Sequence, residues 1–211
     1  MRPPGLTQFW GFLHIIVTVF AVVPGYVKPV NVRDGTGSVK LYGASLEEIE
    51  VQTSAGEIRL VNVSANTANV TNGAGDISIT GGGFAALDLT AEAGGVKVSD
   101  ASVGSLGVID NAGSVKVSQV NVSDAVIEDN AGDIGMSNVL GDVNASAKAC
   151  NIEVFLGVKY NVVYYLTTDA CDIDINLLPS LHVAVTLPGV MASPPVIYAE
   201  AKGGSVKVNY V

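Results

Sequence analysis

From Gly37 onward, apolar residues fall in pairs two apart, and the set of pairs recurs every nineteen residues. Each unit opens on a glycine: Gly37, Gly56, Gly75, Gly94, Gly113 and Gly132. With that glycine as position 0, positions 2 and 4 are apolar throughout, from Val39/Leu41 to Ile134/Met136. Positions 12 and 14 follow suit (Ile49/Val51, Leu87/Leu89, Leu106/Val108), and positions 7 and 9 are small or apolar (Val63/Ala65, Val120/Val122). A spacing of two is the strand period, and the three-residue step between pairs marks a bend. The pattern predicts three short inward-facing strands per unit, coiled so that each strand lies parallel to its counterpart about 4.8 Å away. A fixed period of this size means stacked units, hence a right-handed, single-stranded parallel β-solenoid. Helices are excluded, because the i, i+3, i+4 pattern is missing and glycine is too frequent. Neither a leucine-rich core nor the calcium-binding G-G-x-G-x-D nonapeptide is present.

Val30 and Val32 occupy positions 12 and 14 of a unit that precedes Gly37, so the solenoid is expected over residues 30–211. Beyond Gly132 the intervals become eighteen, twenty-one and thirty-three, with Cys150, Cys171 and Gly204 as corners. Their tracts, Asn-Ile-Glu-Val, Asp-Ile-Asp-Ile and Ser-Val-Lys-Val, keep the alternation. The long last interval predicts a loop at about 187–203 that leaves the coil and could cap its open strand edges. About nine rungs make a rod roughly 40 Å long.

Residues 1–24 read differently. Arg2 is the sole charge before Lys28, and Phe9–Val23 is mostly apolar. This fits a secretory signal peptide cut after Ala21, or an uncleaved anchor using residues 6–27, with 25–29 as a linker. Export to the cell surface, the envelope or the medium is expected by either route.

Composition adds limits. The chain is 48% hydrophobic but only 6% aromatic, with 24 glycines, which suits thin β layers. A net charge of −9 argues against nucleic acid, whose phosphates need a basic stripe. No catalytic constellation emerges: His14 lies in the leader, His182 adjoins an inward pair, and neither has a nucleophile motif beside it. No cofactor is expected.

Other side chains repeat at fixed offsets. Cys150 and Cys171 replace the corner glycine in successive rungs, within reach of a disulfide staple or left as two free thiols. Asp110 and Asp129 share position 16, an acidic edge read as solvated, or as a weak calcium site. Asn111 and Asn130 follow as an asparagine ladder. Lys40, Arg59, Lys97, Lys116 and Lys207 share position 3, a solvated stripe with cross-rung pairing or a surface for acidic glycans. The sequons Asn62, Asn69, Asn121 and Asn144 all fall on outward offsets, a weak signal for glycosylation. Tyr160, Tyr164 and Tyr165 cluster with Phe155, as core of a wider end or as a contact patch.

The recurring Gly-[Asp/Glu/Ser]-[Ile/Val]-x-[Ile/Val] tract, with Asp172-Ile173-Asp174-Ile175 as a diverged copy, resembles the adhesin-like β-solenoid family of uncharacterised bacterial and archaeal proteins. The resemblance covers about residues 30–211 and implies architecture without a shared catalytic motif. Bactofilins, β-solenoids that polymerise end to end, are a second resemblance. The expectation is therefore a non-enzymatic exported solenoid, adhesin-like or structural, with a surface glycan or protein as partner. The alternatives are a filament or envelope subunit that self-associates through its ends, and a carbohydrate-binding or carbohydrate-active β-helix.

Overall fold

The computed structural model describes residues 17–19, 29–157, 162–178, 183–189 and 195–210. His14, His182, Tyr160, the proposed cleavage point and the 25–28 part of the linker lie outside them.

The described residues form two ten-stranded parallel sheets wound into a solenoid of about eight turns, close to the nine expected. One sheet holds the tracts after each corner: Val39–Tyr42, Ile58–Val61, Ile77–Thr80, Val96–Ser99, Val115–Ser118, Ile134–Ser137, Ile152–Leu156, Ile173–Leu177 and Val206–Tyr210. The other holds longer strands, among them Ser45–Ala55, Ser64–Ala74, Gly83–Ala93, Ser102–Asp110 and Asn121–Asp129. Register follows the repeat, as in Ile58 on Ile77 on Val96. It survives the irregular intervals, since Ile152, Ile173 and Val206 are in line and their corners Cys150, Cys171 and Gly204 coincide.

Three separate short strands per rung was the expectation, and two are found. The pairs at positions 7/9 and 12/14 belong to one bent strand. At the bend Glu47, Asn66, Ala85, Gly104 and Ser123 drop out of the pairing register, while their neighbours on both sides keep it. Skipping one residue resets the inward parity without breaking the ladder, so hydrogen bonding to adjacent rungs continues around the bend.

Inside, the paired positions interlock as one continuous core from Val32 to Ala199. Val39, Leu41, Ile58, Leu60, Ile77 and Ile79 have no exposed surface. Two corners turn each rung. At position 0 the glycines approach so closely that a Cβ on Gly56 would lie 1.8 Å from the Gly37 carbonyl oxygen. At position 6 the backbone is left-handed in Gly43, Asn62, Gly81, Asp100, Gln119 and Asn138, with φ between 50° and 69°. Glycine, asparagine and aspartate tolerate that conformation best, which explains most of the composition there.

Both ends depart from expectation. Val17–Val19, inside the apolar N-terminal run, forms a strand in register with Val39–Leu41. The C-terminal loop is shorter than 187–203, because Val196–Ala201 is a strand paired to Val163–Thr168. Ala184–Thr186 lies on the far side of it, so the chain skips a level and returns.

Candidate functional site

The position-0 corner gathers most of the candidate residues, and it corrects the reading of the acidic edge. Asp110 and Asp129 are buried, not solvated, with 0% and 1% of their surface exposed. Position 16 has the parity of positions 12 and 14, so continuing the strand carries it inward. The same interior row holds Asp34, Thr53, Asn72, Ala91, Ala147 and Thr168. Each buried carboxylate closes its own turn: the Ala112 N–H donates to Asp110 Oδ1 at 3.2 Å, and the Ala131 N–H to Asp129 Oδ1 at 3.0 Å. The other oxygens, Asp110 Oδ2 and Asp129 Oδ2, have no hydrogen-bond partner among the described residues. Burial, then the neighbouring Asp129 charge, pushes the Asp110 carboxyl up to about 6, and burial raises Asp129 as well. Asn72 shows a satisfied member of the row: it accepts from Thr53 Oγ1 at 2.8 Å and donates from Nδ2 to the Gly56 carbonyl at 2.7 Å.

Through the regular rungs, an interior carboxylate at this corner is set against a glycine. Asp110 is paired with Gly113, whose absent Cβ would lie 2.7 Å from Asp110 Oδ2. Two rungs after Asp110 the assignment is exchanged, with Ala147 in register with Asp129 and Cys150 in the glycine place. Cys150 and Cys171 occupy one corner in neighbouring rungs as free thiols, the first buried and the second half-buried. Cys150 Sγ points at the Asp129 carbonyl, 3.7 Å away on the preceding rung, and burial raises its thiol pKa. Among the described residues, no group of three or more His, Cys, Asp or Glu is placed to hold a metal ion.

The outer face of the short-strand sheet carries the position-3 row. In register it reads Lys40, Arg59, Ser78, Lys97, Lys116, Gly135, Glu153, Asp174, Lys207. Both ends of the row are paired. Lys40 lies 3.6 Å from Glu57, which also takes Arg59, and Lys207 lies 2.9 Å from Asp172. That contact, with two hydrogen bonds from Ser205, holds the Asp172 carboxyl down at about 2. Lys97 and Lys116 pair with no carboxylate among the described residues. Along the flanking position-1 row, Asp76 Oδ1, Asp133 Oδ1, Asn151 Oδ1 and Asp172 Oδ1 each accept an N–H from the next rung.

The remaining candidates are placed plainly. The asparagine ladder forms, with Asn130 Nδ2 donating to Asn111 Oδ1 at 2.6 Å and Asn111 Nδ2 to Glu92 at 2.8 Å. Asn62, Asn69, Asn121 and Asn144 are all exposed, Asn62 on a left-handed corner. The tyrosines divide. Tyr164 is fully buried with its hydroxyl donating to the Val139 carbonyl, whereas Tyr165 is 46% exposed and stacks on Tyr198 with centroids 4.8 Å apart. Sequence reasoning placed a bend between positions 4 and 7 but missed that it turns on a left-handed residue at position 6, although Gly43, Asn62, Gly81, Asp100 and Asn138 spell it out.

Stacked parallel rungs, a solid apolar interior and glycine-tight corners define a β-solenoid repeat protein. The chain belongs to the Toastrack DUF4097 family, which it matches over residues 9–162. No curated protein and no solved structure matches it. The family match includes the apolar N-terminal run and its Val17–Val19 strand.

Proposed function

We propose that this chain is a non-enzymatic, exported β-solenoid that serves as an adhesin-like or structural rod at the cell surface. The observation that carries the reading is the uninterrupted core, Val32 to Ala199, whose aligned rungs hold flat outer rows of side chains at strand spacing. Such a scaffold fixes repeated groups in space over a long surface, which suits display and attachment. The charged, apolar-centred N-terminus supports export. The test is protease shaving of intact cells, with fractionation and N-terminal sequencing of the mature chain. Release of solenoid fragments from intact cells is expected; a chain protected until lysis sinks the reading.

One observation favours a second reading, a subunit that stacks end to end. The last described strand exposes Val206 (37%), Val208 (39%) and Tyr210 (63%), although Ile173, Ile175 and Leu177, in register one rung earlier, are fully buried. Exposed inward positions on an end strand are a template for another chain. Light scattering against concentration separates the two: a mass that stays monomeric argues against stacking.

A further inference from the structure

We propose that the notch over Gly135, with Lys97 and Lys116 on its rim, is a subsite for an acidic sugar of an extended glycan chain. The inference rests on the surface reading above and names its ligand. In the outer row of the short-strand sheet, long side chains stand on either side of Gly135, which has none. The gap is a notch of about 370 Å³, lined by Lys97, Lys116, Ser118, Ser137, Glu153 and Phe155 among others. Its one carboxylate, Glu153, accepts from the Asn176 amide at 3.3 Å on the side away from the lysines. Phe155 forms its aromatic wall. The ring lies over the bare backbone of Gly157, where an added Cβ would come within 3.1 Å of it.

The charges decide what fits. Lys40, Arg59 and Lys207 are engaged by carboxylates, but Lys97 and Lys116 stack directly in register, and no salt bridge reaches either among the described residues. Two like charges about one strand spacing apart repel, and an anion between them removes that cost. The protein as a whole carries −9, so its long-range field disfavours polyanions. Binding is therefore local, modest and salt-sensitive. The wall and floor add what an ion alone does not need. Phe155 offers an apolar face to the C–H face of a pyranose, and the Ser118 and Ser137 hydroxyls both donate and accept. A second notch of about 350 Å³ lies over Ser78, on the other side of Lys97. It shares both lysines and is also lined by Arg59, Glu57 and Asp76, of which Glu57 is taken by Lys40 and Arg59 and Asp76 accepts the Gly95 N–H. The lysine pair thus sits between two notches along the solenoid axis, which favours an extended chain over a single ion.

The test uses the full chain and three probes: oligogalacturonate, neutral malto-oligosaccharide and poly-glutamate, titrated by calorimetry at low and physiological salt. Oligogalacturonate is expected to bind, about tenfold more weakly in the Lys97→Gln/Lys116→Gln double variant and several-fold more weakly in Phe155→Ala. Malto-oligosaccharide is expected not to bind. Both lysines are exposed, so the double variant should keep its melting temperature, which circular dichroism checks. Absence of oligogalacturonate binding, or binding unchanged in the double variant, overturns the proposal. So does equal affinity for poly-glutamate with no effect of Phe155→Ala, because charge alone then accounts for it. Failure here is separable from failure of the surface reading. A chain shaved from intact cells that ignores acidic sugars loses only this subsite. A chain that binds them but stays protected on cells loses only surface display.

Discussion

Asp110 and Asp129 stand one above the other in adjacent rungs, sealed inside the solenoid, each with one carboxylate oxygen bonded to its own turn and the other without a partner. Among the described residues no cation acts on either. The closest titratable groups are further acids, Asp76 toward Asp110 and Asp133 toward Asp129, along with the Cys150 thiol. Buried like charges cannot both ionise cheaply, so one of the pair holds a proton where an exposed aspartate would have lost it.

Stability should therefore fall as pH rises through the window between the ordinary aspartate value and about 6. In that window the folded state keeps a proton on Asp110 that the unfolded chain releases. The contribution is fully present below the unfolded value and is lost above the folded one. A displacement of about two pKa units corresponds to about 3 kcal/mol. Asp110→Asn should flatten this slope and stabilise the protein at neutral pH. Its amide has a precedent in Asn72, which occupies the same row and donates to the Gly56 carbonyl at the corner of the preceding rung. Urea midpoints of both proteins from pH 4 to 7 supply the measurement. Parallel profiles would show that the buried pair does not titrate as stated. Asp172 acts with the opposite sign: held down by Lys207 and Ser205, it stabilises above its unfolded value and loses that effect as the pH falls toward 2.

The pattern of apolar pairs carried most of the fold, because each pair names an inward parity and parity is what burial reads. Val39, Ile58 and Ile77 at position 2 are completely buried, and so are Ile49 and Leu87 at position 12. The same rule extended by one step would have placed Asp110 inside, but a charged residue at an inward offset reads as a strand already ended. Asn72 and Thr53 in that row were the available signal, being polar, small and inward by count. The three-residue step from position 9 to 12 marked the bend within the long strands, but not that the ladder runs on through it, because one residue dropping out of register leaves the apolar spacing unchanged. Nor was the notch over Gly135, which exists because a glycine at an outward position interrupts a row whose other members are long.

Gly132→Ala should be severely destabilising. A Cβ at that position would lie 1.2 Å from the Gly113 carbonyl oxygen and 3.0 Å from Asp129 Oδ2, so two rungs would have to separate at the corner. A cost of roughly 3 kcal/mol or more is expected from such a backbone clash. Gly35→Ala is the matched control, since nothing lies within 4 Å of its added methyl. Thermal melts of the two variants should differ widely; equal melting temperatures would mean that the corner can open without loss.

Tyr164→Phe isolates one buried hydrogen bond. The phenol donates to the Val139 carbonyl, and the ring is fully buried. Removing the hydroxyl should cost about 1–2 kcal/mol in a urea titration. Burial also pushes the phenol pKa well up, so phenolate absorbance from this residue should appear only as the protein unfolds in alkali. A phenolate signal from Tyr164 in the folded protein at moderately alkaline pH would contradict its burial.

The two thiols should react in order. Cys171 is half-buried, whereas Cys150 is 4% exposed with its thiol pKa raised by burial, so little reactive thiolate is present there. Neighbouring rungs lie about 4.8 Å apart, within the separation a disulfide spans. Cys150 Sγ, however, is engaged with the Asp129 carbonyl on the preceding rung, a contact that a bond to Cys171 would compete with. Brief alkylation of the native, reduced protein should add one label, at Cys171, and a second only in denaturant, as read by peptide mass. Equal labelling rates would contradict the buried thiol. If the purified protein takes up no label until reductant is added, the thiols have been oxidised into the staple that their shared corner allows.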